Sequence, residues 1–189
     1  MESLSVEDPL TGLLNRRGLG LFLPPLLATI RRRQERALLG ILDLDDFKDV
    51  NDSFGHAAGD ELLVAVGRRL QKGIRAEDIV ARLGGDEFVV VIQLPASSEG
   101  AQDPVQAAMD RIGQLLSLPY SLPTDPPETR TVGFSLGLTV FPEDDAGPDG
   151  LLRHADEALY DSKRHKGTRS RWWSLWKGSP PSDKGVQRS

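Results

Sequence analysis

Residues 78–94 read DIVARLGGDEFVVVIQL. Two runs rich in β-branched and aliphatic residues, Asp78 to Leu83 and Phe88 to Leu94, flank Gly84-Gly85-Asp86-Glu87. Apolar runs of this length bounded by turn residues read as buried strands, and a glycine-containing connection this short makes them a hairpin. Working backwards, Ala37 to Leu44 is a third buried strand that ends in acids, and residues 59–72 carry apolar positions 62, 63, 66 and 70 on one helical face. Residues 11–36 read as a helix with a kink or break at Pro24-Pro25. Working forwards, 105–118 is a helix, the proline-rich 119–128 a loop, Arg130 to Phe141 a strand and Gly150 to Lys166 a helix. The order fits an α/β (α+β) fold with a ferredoxin-like βαββαβ core, its mostly antiparallel sheet flanked by helices.

The 189 residues suffice for about one domain, and 39% apolar with 27% charged residues is ordinary for a globular chain. Cysteine is absent, which excludes disulfides, Cys-based zinc sites and a Cys nucleophile. The longest apolar stretch, Leu19 to Ile30, is short for a membrane span and holds two prolines. No signal peptide is read at the N-terminus. The net charge of −5 divides unevenly: from Ser162 onward there are eight Lys/Arg and one acid, while the rest carries −12. An acidic body argues against nucleic acid as the partner, since such binders carry the basic patch on the fold itself. To hold an anion, an acidic body needs metal ions or a few placed cations.

Two strand ends supply the carboxylates: Asp43, Asp45 and Asp46 after Ile41-Leu42, and Asp86 with Glu87 in the hairpin turn. If the two strands are neighbours, these acids face each other. One or two carboxylates plus phosphate oxygens is how Mg²⁺ is held. Gly84 and Gly85 fit any tight turn, and they also let a nucleotide approach the backbone. No G-x-x-x-x-G-K-[ST] or post-strand G-x-G-x-x-G is present, and Phe47 and Lys48 stand where an EF-hand loop needs an oxygen ligand and glycine.

The run RLGGDEF (82–88) resembles the signature of the GGDEF family, the diguanylate cyclases. DPLTGLLNRRG (8–18), DLDDFKDVNDSFGHAAGDELL (43–63), SLGLTVFPEDD (135–145) and LLRHADEALYDSK (151–163) resemble its other segments in order. The resemblance implies a palm of the kind found in adenylate cyclases and polymerases, and condensation of two GTP into cyclic di-GMP with release of two pyrophosphates. It implies that Asp43, the carbonyl of Leu44 and Asp86 hold Mg²⁺, with Mn²⁺ as the other candidate, two ions per site. Glu87 or Asp86 is then the base for the 3′-hydroxyl. Lys48 and Lys163 neutralise the triphosphate, and Asn51 and Asp60 read guanine with His56 beside them. By residue type alone Asn51 also suits a helix cap, Asp60 a helix N-terminal acid and Lys163 a last-turn cation. Where the family usually has Arg four residues after Lys163, this chain has Gly167, so Lys166 or Arg169 is expected to take the phosphate contact. Arg75 and Asp78 form an R-x-x-D where the family's product-inhibition site lies; an ion pair or turn is the structural alternative.

The resemblance further implies a homodimer, because each domain holds one GTP, and an upstream sensor in a longer parent. The domain is expected in the cytoplasm, with a parent that can be membrane-anchored. The domain is assigned to residues 8–177, with 1–7 a remnant or linker and 178–189 a disordered basic tail. Trp172, Trp173 and Trp176 among basic residues read as a final edge strand packing on the core, or else as a surface for single strands or membranes. A catalytically weak domain that binds GTP or cyclic di-GMP is the alternative function.

Overall fold

The computed structural model describes residues 4–96 and 102–178. Its elements are α1 (Arg16–Arg32), β1 (Arg36–Leu44), α2 (Phe47–Phe54), α3 (His56–Gly73), β2 (Ile79–Gly84), β3 (Glu87–Leu94), α4 (Pro104–Leu116), β4 (Tyr120–Leu122), β5 (Glu128–Arg130), β6 (Phe134–Phe141), α5 (Gly147–Arg164) and β7 (Trp173–Leu175). The main sheet has the order β2-β3-β1-β6-β7. Its first four strands are antiparallel neighbours, which is the expected βαββαβ arrangement, and β7 joins β6 in parallel.

Strand periodicity divides the interior into two cores. Leu38, Leu42, Phe88, Val90, Leu136 and Leu138 face α3 and α4. Leu39, Ile41, Val89 and Val91 face α1 and α5. Successive side chains of a strand point to opposite faces, so a sheet covered on both faces reads as an unbroken apolar run. Asp43 and Glu87 share the odd-numbered parity, which places them at the strand ends on the α5 side.

Two elements depart from the sequence reading. The helix of 16–32 passes through Pro24-Pro25 without a break. Proline in a helix interior costs about 3 kcal/mol, but both prolines lie on the exposed side while Leu19, Leu23, Leu27 and Ile30 are buried on the other. The carbonyls they leave unbonded belong to exposed Gly20 and Leu21 and can meet water. The segment read as a proline-rich loop holds the small hairpin β4–β5, whose Tyr120 is buried under α4 and donates its hydroxyl to the Leu116 carbonyl. The tryptophan segment is an edge strand, with Trp173 buried in the α3–α4 core. The tail from 179 on, expected to be disordered, lies outside the described residues.

Candidate active site at the strand ends

β1 runs beside β3 with Asp43 opposite Glu87, and beside β6 with Asp43 opposite Ser135. The Gly84-Gly85 turn returns the chain so tightly that Gly84 pairs with Glu87. Its φ values, +137° and +51°, are ones that glycine alone adopts freely. Asp86 at the tip is thereby set near enough to Asp43 for its charge to act on that carboxyl. The turn is braced from the N-terminal loop. Arg82 Nε donates to the Gly85 carbonyl (2.9 Å), its Nη1 donates to Asp8 (2.9 Å), and its backbone N–H donates to the Leu14 carbonyl (2.8 Å). Asp8 is held in turn by the backbone N–H and hydroxyl of Thr11. Sequence reasoning gave Asp8 no duty, although Asp8-x-x-Thr11 has the i, i+3 spacing of an N-cap-type bond.

Lys163 approaches from α5 and donates to Asp43. What lets it reach is Gly137 in the middle of β6. A Cβ there would stand 2.0 Å from the Leu159 N and 2.2 Å from the Ala155 carbonyl oxygen, so strand and helix meet backbone to backbone. One turn beyond Leu159, Lys163 overhangs the strand end. Burial pushes the Asp43 carboxyl up to about 6, with neighbouring Asp86 acting in the same sense and Lys163 opposing both. Burial, with the charges of Asp156 and Asp43, also holds Glu87 above its ordinary value. These are oxygen donors short of positive charge. Among the described residues no three His, Asp or Glu side chains form a closed metal cage. A pair of neighbouring, half-buried carboxylates instead suits Mg²⁺, which keeps waters and completes its shell with phosphate oxygens.

Asp45, two residues on, behaves differently. Its side chain is 6% exposed and accepts from Ser135 Oγ (2.7 Å) and Arg169 Nη2 (3.3 Å). Arg169 also bonds Ser135 Oγ, Ser162 Oγ and the carbonyls of Ser162 and Phe134, all at 2.8–3.0 Å. Arg169 thus forms an inward clamp in which both terminal nitrogens are engaged with protein. Ser135 and Ser162 escaped the sequence reading, since isolated serines carry no pattern. Lys166 remains at the surface and bonds Asp46 Oδ2 at 2.6 Å. Lys48 is turned to solvent, 89% exposed, with Asp52 at 3.7 Å, and touches neither Asp43 nor Asp86 in this arrangement.

Asn51 lies on α2, and His56 and Asp60 on α3 across the corner at Gly55. Asn51 caps nothing: the α2 N-cap is Asp46, and the bond closing the helix uses the Asn51 carbonyl rather than its carboxamide. Asp60 is exposed and lies beyond the first turn of α3. Both are thus without the structural duties their residue types suggested. Leu44, whose carbonyl was expected to face metal, ends β1 with its side chain buried. On the opposite end of the sheet, Asp78 accepts from the backbone N–H groups of Arg75 and Gln93, both at 2.9 Å. Its carboxylate is committed to shaping the turn, while the Arg75 side chain is exposed beside a cleft of about 490 Å³ between Gly12–Leu14 and Ile74–Val80.

The chain resembles known proteins over most of its length. Residues 5–169 match the family model described as diguanylate cyclase, GGDEF domain. The chain is 36% identical over 161 residues to the diguanylate cyclase DgcP of Pseudomonas aeruginosa, covering 85% of this chain and 23% of that protein. The GGDEF domain of the P. aeruginosa protein TpbB (YfiN) superposes with a TM-score of 0.77 at 32% identity, over 90% of this chain and 94% of that one. The GGDEF domain of DgcB from Caulobacter crescentus, solved in complex with c-di-GMP, gives 0.74 at 25% identity, over 92% and 97%. The chain spans less than half the length of such curated relatives. No helix among the described residues is long and apolar enough to cross a membrane. With the GGDE turn braced by the N-terminal loop and the family model matching residues 5–169, the chain belongs to the GGDEF-domain family.

Proposed function

We propose that this chain is the catalytic domain of a diguanylate cyclase, condensing two GTP into cyclic di-GMP across a homodimer. The observation that carries the reading is the union of Asp43, Asp86 and Glu87 at one open strand end, with Lys163 overhanging it. In each half-reaction a 3′-oxygen bonds to the α-phosphorus of the facing GTP, the bond to the bridging oxygen breaks, and pyrophosphate leaves. Glu87, raised above its ordinary value, is suited to take the 3′-hydroxyl proton; Asp86 is the alternative base. Asp43, Asp86 and the Leu44 carbonyl would hold Mg²⁺ or Mn²⁺, two ions per site. A bound divalent ion acidifies a hydroxyl and screens phosphate charge. Lys48 and Lys163 neutralise the triphosphate with Lys166 beside them, and Arg169 holds the segment that carries Lys163 and Lys166. Asn51 and Asp60 read guanine, an amide and a carboxylate offering complementary donors and acceptors to its edge, with His56 at the same corner. Gly84 and Gly85 leave room for the nucleotide. In a longer parent, an upstream sensor would control the pairing of domains. Arg75 and Asp78 take product at the inhibitory site, Asp78 also fixing the turn beneath it.

Incubation with GTP and Mg²⁺ at concentrations that force dimerisation should yield cyclic di-GMP by chromatography, and a persistent absence of product would refute the enzyme. Arg75→Ala should relieve product inhibition; unchanged inhibition would remove the site. A second reading, a binding module with weak turnover, draws on the solvent-facing Lys48 and the inward Arg169, which thin the positive charge facing a triphosphate. It predicts nucleotide binding with little product.

A further inference from the structure

We propose that Gly59 is a specificity-determining residue, whose missing side chain seats the Asn51 carboxamide for guanine. This rests on the proposed guanine-reading role of Asn51 and Asp60. Gly59 is buried in the second turn of α3, directly before Asp60. A Cβ built there would stand 1.9 Å from Asn51 Oδ1, 2.9 Å from its Cγ and 3.2 Å from Phe47 Cζ. The carboxamide of one helix therefore lies in the space that a side chain on the next would fill. That is where a glycine is least expected on local grounds, because glycine in a helix interior is less stable than alanine. The nearest obstacle is the far end of a movable side chain, so an alanine would displace the Asn51 amide rather than unfold the helix. Displacement would part the amide from the Asp60 carboxylate, and the two would no longer meet one edge of the same base.

The inference separates fold from recognition. In the full chain, Gly59→Ala should melt no lower than the parent. GTP affinity, by calorimetry, should fall about tenfold, the scale of a lost buried hydrogen bond. The preference for GTP over ATP should shrink comparably, and in turnover KM should rise while kcat at saturation holds within a few-fold. In an Asn51→Ala background, the same glycine substitution should change nucleotide preference no further. If Asn51→Ala weakens GTP preference and Gly59→Ala does not, the inference is wrong and the guanine reading stands. If Asn51→Ala itself leaves the preference intact, the guanine reading fails. A Gly59→Ala protein that melts lower in both backgrounds would place the clash at Phe47 and overturn the inference.

Discussion

Asp43 and Asp45 leave the same strand end two residues apart, and the fold treats them oppositely. Asp45 is enclosed: a serine hydroxyl and a guanidinium satisfy it, and that guanidinium is itself held by four further protein oxygens. Asp43 is held by one flexible lysine and pressed by the neighbouring Asp86. The contrast teaches how carboxylates in one acidic cluster divide their labour. A fully bonded acid fixes geometry, whereas an under-compensated one keeps binding capacity for a ligand.

The sharpest way to break this contrast is Asp43→Asn. Turnover of GTP should fall by about 10³-fold or more, the scale of losing a principal charge-stabilising group, while the thermal midpoint stays level or rises. A marked loss of stability would put Asp43 in the same structural class as Asp45. Next in size, Arg169→Ala should cost about 3 kcal/mol of unfolding free energy, because it strands a buried carboxylate; urea denaturation measures it, and a cost near zero would dissolve the clamp. Gly137→Ala should cost about 2 kcal/mol by overpacking the strand against α5. It should also lift Lys163 from Asp43, so activity falls further than stability alone explains; equal loss in the two would unlink the glycine from the site.

The smallest effect concerns Asp8, a third carboxylate and of the enclosed kind. Burial alone would raise it, but the bonds from Thr11 and Arg82 outweigh burial and hold it below its ordinary value of 3.8. A lowered folded value means that its stabilisation is complete above the unfolded value and disappears as pH falls through the folded one. Asp8→Asn should therefore cost about 1 kcal/mol at neutral pH. The gap to the parent should close in acid, below about pH 4. A gap that persists unchanged at pH 2 would show that the charge is not what matters.

Much of this was legible in the chain itself. The apolar runs around Gly84-Gly85 foretold the hairpin, and the parity of Asp43 with Ile41 set its face, because strand periodicity is a local property. The α1 prolines misled because tertiary burial of Leu19, Leu23, Leu27 and Ile30 outweighs a local penalty that only a packed structure can offset. Ser135, Ser162 and the inward turn of Arg169 were invisible for a different reason: they come from three separate segments and meet only after the sheet and α5 have docked. Lys48 is read beside a triphosphate from its motif alone; a helical lysine one turn before an aspartate also has an ordinary surface neighbour, here Asp52 at 3.7 Å.

The alternation along β1 has one more consequence. If β1 paired with β3 and β6 one residue out of step, Asp43 would turn into the cluster of Phe88, Leu136 and Leu138. An ionised carboxylate tolerates no such neighbourhood without a partner. The acid proposed to hold the metal would thus also disfavour a misaligned strand, because the native register is the one that leaves its carboxylate beside Lys163.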